Sequence, residues 1–373
     1  MSRSLGVMLL TTASHWRGSG ISFSKIARGL ASRGYRVALV VSSDAVAGEL
    51  ARLEIPARLV RLDRTGLREV KSLLAVAREN GSDVVIADKP RDVRLAAWMS
   101  MLRPLRIVIR YNRVGPQRRA RFVDRWTATR AAAALYQSNY IREKALAELR
   151  VLEKLERFVV PNGYDADGIA AAAGSRDAWR AAHAIERDAF VVISAGFAEA
   201  EKRFDVSVDA LALLAPRGVN ATFVFCGDGP CREALEQRAR ATDVRAVWLG
   251  AQSARDALTA IGSSDVLVHP SPVEIFGNVL AEAMALGTPI IAMHSGGNPE
   301  MLGDDGTTSF LLHQLTPEAF ARAIEELHRR PDRGRSMADA ARERLATVFP
   351  LSRMIDGYDA MLRQLTGTQA NPT

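Results

Sequence analysis

Two glutamates eight positions apart, Glu274 and Glu282, are the residues of this chain best suited to chemistry. The preceding segment, 265–270 (DVLVHP), has the pattern of a buried strand that ends at a proline. A short loop with Gly277 follows, and the apolar run after it predicts a helix capped by Asn278. Ionised carboxylates accept hydrogen bonds from sugar hydroxyls, and a helix N-terminus attracts phosphate. The stretch therefore predicts a site for a ligand that carries both hydroxyl and phosphate groups.

A cationic pair and a glycine-bearing loop offer further contacts for phosphate. Lys202 and Arg203 follow a predicted strand at 190–194 and precede a predicted helix, where two cations can neutralise a diphosphate. A solvated surface pair would look the same, so both interpretations stay open. Gly18 lies in the polar loop 11–20 after the first strand. That loop lacks the G-x-G-x-x-G spacing of a dinucleotide site and is equally compatible with a plain turn.

These residues are embedded in alternating strands and helices. Apolar strands separated by helices predict an α/β protein with parallel sheets covered on both faces, whose ligands bind at the carboxyl ends of the strands. A length of 373 residues favours two doubly wound domains. We place the first domain at 1–165 and the second at 166–350, with a last helix at 351–365 and a disordered tail at 366–373.

The positive charge is concentrated in the first half of the chain. Residues 1–165 contain 30 Lys and Arg against 15 Asp and Glu, whereas the remainder is net negative. Segment 103–130 is the most basic part, and a predicted helix at 117–134 places Phe122 and Trp126 one turn apart. The arginines of this segment are Arg103, Arg106, Arg110, Arg113, Arg118, Arg119, Arg121, Arg125 and Arg130. Such a stretch is typical of a surface that docks on anionic membranes, and equally of a solvated face with core aromatics. Nucleic acid is a poorer candidate, because no recognition helix or RNA platform accompanies the charge.

Composition restricts the location and the cofactors. No run of about 18 apolar residues is present, and the first residues are interpreted as a strand rather than a secretion signal. Two cysteines are too few for a disulfide framework or a zinc site, which favours a reducing cytoplasm. The D-x-D sequence Asp165–Asp167 is interpreted as a helix cap rather than a metal site.

The motifs together resemble the retaining GT-B glycosyltransferases of the GT4 type. The resemblance is carried by E-x7-E at Glu274 and Glu282, followed by AEAMALGTPII and GGNPE, and it covers nearly the full chain. Further matching elements, each weak alone, are Gly18 with the helix end LASRGY, the junction PNGYD at 161–165, Gly196 with Lys202, and GDG at 227–229.

The resemblance implies two Rossmann-like domains facing a cleft that holds a nucleotide sugar, with the C-terminal helix returning to the first domain. Lys202, and Arg203 beside it, would hold the diphosphate, Glu282 the ribose hydroxyls, and Glu274 the donor sugar, where it is also the candidate catalytic residue. The backbone of Phe276, Gly277, Asn278 and Val279 would contact the donor, and Gly18 would close over the diphosphate. The acceptor, anionic or lipid-linked, would bind mainly to the first domain, at the inner face of the cytoplasmic membrane. No cofactor and no metal ion are expected.

Two departures from the family pattern concern the donor site. Phe197 stands where the family usually has an arginine, and Arg203 is the candidate substitute for that cation. The family's histidine near the end of strand 106–110 is absent, and Arg110, Asn112 and Arg113 occupy that region. Asn112 is nominated in its place.

Three functions remain open at this point. The first is transfer of a sugar, with retention, to a lipid-linked or saccharide acceptor in glycolipid, lipopolysaccharide or polysaccharide assembly. The reaction could use a carboxylate nucleophile or a front-face attack, and the family favours the second. The second function is a sugar-nucleotide epimerase of related fold, and the third is a non-catalytic binding partner for nucleotide sugars or membranes.

Overall fold

The computed structural model describes residues 4–15, 18–112 and 122–367. The chain forms two compact units. Unit 1 comprises Met1–Gly163 and Leu351–Thr373, and unit 2 comprises Tyr164–Pro350. Each unit is a parallel sheet covered by helices, as the alternation of apolar strands and helices predicts.

Unit 1 contains, within the described ranges, a seven-stranded sheet in the order β3-β2-β1-β4-β5-β6-β7. Its elements along the chain are β1 (Gly6–Thr11), α1 (Gly18–Ser32), β2 (Arg36–Val41), α2 (Asp44–Arg52), β3 (Arg58–Leu59), α3 (Leu67–Glu79), β4 (Ser82–Ala87), α4 (Pro90–Leu102), β5 (Arg106–Tyr111), α5 (Phe122–Ala128), β6 (Ala133–Tyr136), α6 (Asn139–Glu148) and β7 (Glu156–Val159).

Unit 2 contains, over its own described length, a six-stranded sheet in the order β10-β9-β8-β11-β12-β13. Its elements are α7 (Ala166–Ala172), α8 (Arg176–Ala182), β8 (Phe190–Ala195), α9 (Phe204–Ala212), β9 (Ala221–Cys226), α10 (Arg232–Ala241), β10 (Ala246–Gly250), α11 (Ala254–Gly262), β11 (Val266–His269), α12 (Asn278–Leu286), β12 (Ile290–Met293), α13 (Asn298–Leu302), β13 (Phe310–Leu312), α14 (Pro317–Arg329) and α15 (Pro331–Val348).

The last helix, α16 (Leu351–Thr366), belongs to unit 1, as predicted. It packs on α1, where a Cβ on Gly29 would come within 2.4 Å of the Ile355 side chain. Met354, Tyr358 and Leu362 lie in the same apolar core as β1 and α1. The C-terminal segment therefore completes the core of the first unit.

Several predicted boundaries differ from the structure. No sequence pattern predicted α2 or β3, which lie between β2 and α3. Gly18 begins α1 rather than lying in a loop. The predicted helix 117–134 is represented by α5 alone, and 113–121 lie outside the described residues. The predicted tail begins within α16, and 368–373 likewise lie outside them.

The strand orders locate one switch point in each sheet. The order reverses between β1 and β4 in unit 1 and between β8 and β11 in unit 2. In open parallel sheets, ligands bind beyond the carboxyl ends of the strands at such points. Lys202 follows β8 and Glu274 follows β11, so the topology brings both to the switch point of unit 2.

Candidate active site

The centre of the site is a carboxylate held by two nitrogen donors. Glu274 Oε2 lies 2.7 Å from Lys202 Nζ and 3.2 Å from His269 Nε2. His269 is the last residue of β11 and is 2% exposed. The other carboxylate oxygen, Oε1, accepts a hydrogen bond from the Ile275 backbone N–H at 3.2 Å. The two sequence-predicted residues Lys202 and Glu274 are thus in direct contact.

The surroundings of Glu274 keep its carboxylate ionised. Burial raises the pKa of Glu274, but the hydrogen bond from His269 and the charge of Lys202 lower it by more, so that the resulting pKa is about 2. The Glu274 side chain is 15% exposed, and a carboxylate that stays ionised in such surroundings is a strong acceptor for O–H groups. This arrangement suits recognition of sugar hydroxyls.

A glycine pair holds the loop of Glu274 in place. Gly297 N–H donates to the Glu274 carbonyl at 2.8 Å. A Cβ on Gly297 would come within 2.1 Å of the Ile275 carbonyl oxygen, and one on Gly296 would come within 2.5 Å of the Glu274 carbonyl oxygen. Gly296 also has φ +62°, in the left-handed region. The sequence GG at these positions is therefore needed for the close approach of the two loops.

The N-terminus of α12 is built differently from the prediction. Gly277, not Asn278, is the N-cap, so no side chain caps the first turn. Asn278 is instead the first helical residue, and its Oδ1 accepts a hydrogen bond from the Tyr164 hydroxyl at 2.8 Å. Phe276 is buried and stacks on the Tyr164 ring, so only its backbone can reach a ligand. Val279 follows in the first turn, where unpaired N–H groups and the helix dipole favour an anion.

Glu282 lies one turn further along α12 and is half-buried. Its negative charge acts on the Cys226 thiol at the end of β9, where burial first, and then this charge, raise the pKa of the thiol to about 12. Along the chain, Glu274 precedes the first turn of α12 and Glu282 lies in its second turn.

The candidate second cation, Arg203, and the position of the missing family arginine, Phe197, have different surroundings. Arg203 has φ +54° and donates through Nε and Nη2 to the Asp205 carboxylate at 3.0 Å. That hydrogen bond is the main reason why the pKa of Arg203 is raised. Phe197, where the family usually has an arginine, is 36% exposed. Lys202 is thus the cation that contacts Glu274, while Arg203 is bound to its own neighbour.

Unit 1 carries a separate polar cluster at its own switch point. Asp88, directly after β4, is buried and accepts hydrogen bonds from Arg110 Nη1 at 2.9 Å and Asn112 Nδ2 at 2.6 Å. Arg110 is 3% exposed and also donates to Ser22 Oγ in α1. Burial acts against its charge, but Tyr358 and Asp88 raise its pKa. Asn112 donates in addition to Ser19 Oγ, next to the predicted donor contact Gly18.

This burial corrects one prediction for the basic segment. Arg110 belongs to the interior and is not a membrane-facing residue, because its guanidinium is enclosed by Asp88, Ser22 and Asn162. Phe122 is 83% exposed, whereas Trp126 is half-buried with the Arg130 guanidinium over its ring. Arg113, Arg118 and Arg119 lie outside the described residues.

Helix α4 presents an exposed apolar face that sequence reasoning missed. Trp98, Met101 and Leu102 are 40–63% exposed. The face adjoins the start of α5, since Arg94 Nη1 lies 3.6 Å from Asp124 Oδ1. The signal available in the sequence was the 98, 101, 102 spacing, which places all three on one side of a helix.

His269 and Asp88 were also missed as site residues. Both are polar side chains at the carboxyl end of a buried strand, and each strand lies at a switch point. Asp165, by contrast, caps α7 by accepting from Gly168 N–H, which confirms its interpretation as a helix cap.

None of the helices in the described ranges combines the length and the apolar character that spanning a bilayer requires. The same ranges hold no group of three or more His, Cys, Asp or Glu side chains arranged to bind a metal ion.

Both halves of the chain match models of glycosyltransferase families. Residues 175–344 match the family model for glycosyl transferases group 1, and residues 17–163 match the glycosyl transferase 4-like domain. The chain belongs to the GT4-type glycosyltransferases. The architecture of two Rossmann-like domains is that of the GT-B fold.

Two relatives match this chain over only part of their own length. The chain is 33% identical over 159 residues to a GDP-mannose-dependent alpha-(1-6)-phosphatidylinositol dimannoside mannosyltransferase of Mycobacterium tuberculosis, covering 42% of this chain and 40% of that protein. It is 28% identical over 252 residues to alpha-D-kanosaminyltransferase of Streptomyces kanamyceticus, covering 66% of this chain and 64% of the relative. Both matches therefore span less than two thirds of the relatives' length.

A solved structure supports the fold over nearly the full chain. Anabaena HepE, in complex with UDP and glucose, superposes with a TM-score of 0.83 at 19% identity, covering 96% of this chain and all of that chain.

Proposed function

We propose that this glycosyltransferase moves a sugar, with retention of anomeric configuration, from a nucleotide-diphosphate sugar bound by unit 2. The acceptor is a lipid-linked or saccharide molecule bound by unit 1, in assembly of cell-envelope glycolipid, lipopolysaccharide or polysaccharide. The enzyme works at the inner face of the cytoplasmic membrane and requires no metal ion.

The observation that carries the proposal is the contact between Lys202 and Glu274 beside the first turn of α12. One cation and one helix N-terminus adjoin a carboxylate that stays ionised, which matches a ligand with a diphosphate and neighbouring hydroxyls. The nucleotide sugar as donor is supported by the UDP and glucose held by the structural relative and by the GDP-mannose in the name of the mycobacterial relative.

The proposed chemistry breaks the bond between the anomeric carbon and the oxygen of the donor phosphate. The acceptor oxygen forms the new bond on the same face of the sugar, and the acceptor proton passes to the departing phosphate oxygen. Lys202 and the N–H groups of α12 stabilise the negative charge that develops on the diphosphate. Glu274 holds the sugar through its hydroxyls, and Glu282 accepts hydrogen bonds from the ribose.

Membrane contact is supported by the face of unit 1 formed by α4 and the start of α5. Trp98, Met101, Leu102 and Phe122 supply exposed apolar surface. Arginines at 91, 94, 103 and 106 flank them along the chain, so that this part of unit 1 combines apolar anchors with positive charge. Such a combination favours an anionic bilayer, the environment of a lipid-linked acceptor.

Transfer of radiolabelled sugar from a panel of UDP-, GDP- and dTDP-sugars to membrane extracts tests the proposal. Labelled glycolipid or glycan, dependent on Glu282 in a Glu282→Ala comparison, is the expected product. An epimerised nucleotide sugar formed without acceptor would favour an epimerase. Nucleotide binding without any turnover would favour a non-catalytic partner.

A further inference from the structure

The junction residue Tyr164 lies against Phe276, in the loop between β11 and α12. Its backbone N–H donates to the Phe349 carbonyl at 2.9 Å, and its ring stacks on Phe276 with an interplanar angle of 8°. Tyr164 is 4% exposed. Backbone and ring are both held, so the position of its hydroxyl is fixed by packing.

That hydroxyl fixes the orientation of one amide. Tyr164 O–H donates to Asn278 Oδ1 at 2.8 Å. A side-chain amide has one acceptor oxygen and one donor nitrogen on opposite sides, so engaging the oxygen turns the NH2 group away from Tyr164. Asn278 is half-buried at the first position of α12.

The first turn of α12 carries no acidic side chain that could offset the positive end of the helix dipole. The cap is Gly277, which has no side chain to accept from the helix N–H groups. Residues 278–280 are uncharged. An amide NH2 at this place adds two donors to those of the helix backbone and no acceptor.

We propose that Tyr164 is a positioning residue: its hydroxyl holds the Asn278 amide so that the NH2 group binds the diphosphate of the nucleotide sugar. This inference rests on the proposed function, because it assigns a role within the same donor site. Asn278 contacts the ligand, and Tyr164 acts through Asn278.

A double-mutant cycle in the full-length protein tests the inference with UDP and GDP as probes. Tyr164→Phe keeps the stacked ring and removes only the hydroxyl. We expect the dissociation constant of the preferred diphosphate, and KM for its sugar, to rise about 3- to 10-fold, the effect of one hydrogen bond, with kcat within about twofold. Asn278→Ala should raise both constants at least as much. The double variant should match Asn278→Ala alone, because the hydroxyl then has no amide to orient.

Two controls separate this role from a loss of structure. Tyr35→Phe removes a hydroxyl that bonds Asp359 in unit 1 and should leave diphosphate binding unchanged. Binding of UMP or GMP should change less than binding of the diphosphate in each variant of the cycle.

The possible results distinguish a failure of the positioning role from a failure of the proposed function. Multiplicative effects of the two substitutions, or normal diphosphate binding by Tyr164→Phe, would overturn the positioning role while leaving the proposed function intact. If Tyr164→Phe fails to fold, normal binding by Asn278→Ala overturns the inference on its own. A wild-type protein that binds neither UDP nor GDP would overturn the proposed function and this inference together.

Discussion

Replacing Glu274 by glutamine should destabilise unit 2 at neutral pH and much less in acid. The pKa of Glu274 falls from its ordinary 4.5 to about 2, because the His269 hydrogen bond and the Lys202 charge outweigh its burial. This difference corresponds to about 3 kcal/mol of unfolding free energy at pH 7. A lowered carboxylate pKa stabilises the folded state fully above about pH 4.5, and that contribution is lost as the pH falls towards 2. About 1 kcal/mol remains at pH 3.

Urea unfolding followed by circular dichroism at pH 7 and pH 3 measures this difference. Comparison of Glu274→Gln with wild type at each pH cancels the titration of the other carboxylates. Glu326→Gln is the matched control, since Glu326 also pairs with arginines but lies at the surface. It should leave the midpoint nearly unchanged at both values. Equal destabilisation by Glu274→Gln at pH 7 and pH 3, or none at pH 7, would refute the electrostatic reasoning.

Three further substitutions give separate expectations. His269→Ala should lower kcat/KM about 10-fold, because the Glu274 carboxylate loses the hydrogen bond that holds it in place. His269→Gln should recover most of the lost activity by restoring an N–H donor. Equal defects in the two variants would contradict the proposed role of His269. Gly297→Ala should displace the Glu274 loop and lower kcat/KM at least about 10-fold and the free energy of unfolding in urea by about 1–3 kcal/mol. The control is Gly48→Ala in α2, where the added Cβ meets nothing within 4 Å and activity should be retained. Leu102→Ser should weaken co-sedimentation with phosphatidylglycerol vesicles several-fold while Leu59→Ser, exposed on β3, should not; identical binding by both would remove α4 from the membrane face.

The fold could be predicted from the sequence because its signals are local. Apolar strands such as β1 and β4, each followed by a helix, identify parallel sheets whatever the remainder of the chain does. The element β3 was missed because two exposed residues carry no apolar pattern. The switch points became visible only with the strand order, which no local pattern encodes.

The site could be predicted only in part. Lys202 and Glu274 were found, but His269 was hidden inside an apolar strand whose last position faces the site. Arg203 was nominated from its charge, and the sequence could not show that a left-handed turn gives its guanidinium to Asp205 two positions later. Arg110 was counted as surface charge, although a buried Asp88 22 positions away neutralises it. Tertiary pairing of charges decides these cases, and spacing along the chain does not report it.

A crystal structure of the protein soaked with UDP- and GDP-sugars would show directly where the donor binds. We expect a nucleotide sugar on unit 2, with its diphosphate within hydrogen-bond distance of Lys202 and the first turn of α12, and with sugar hydroxyls on Glu274. A nucleotide bound elsewhere, or diphosphate oxygens that contact neither Lys202 nor α12 in a fully occupied complex, would contradict this expectation.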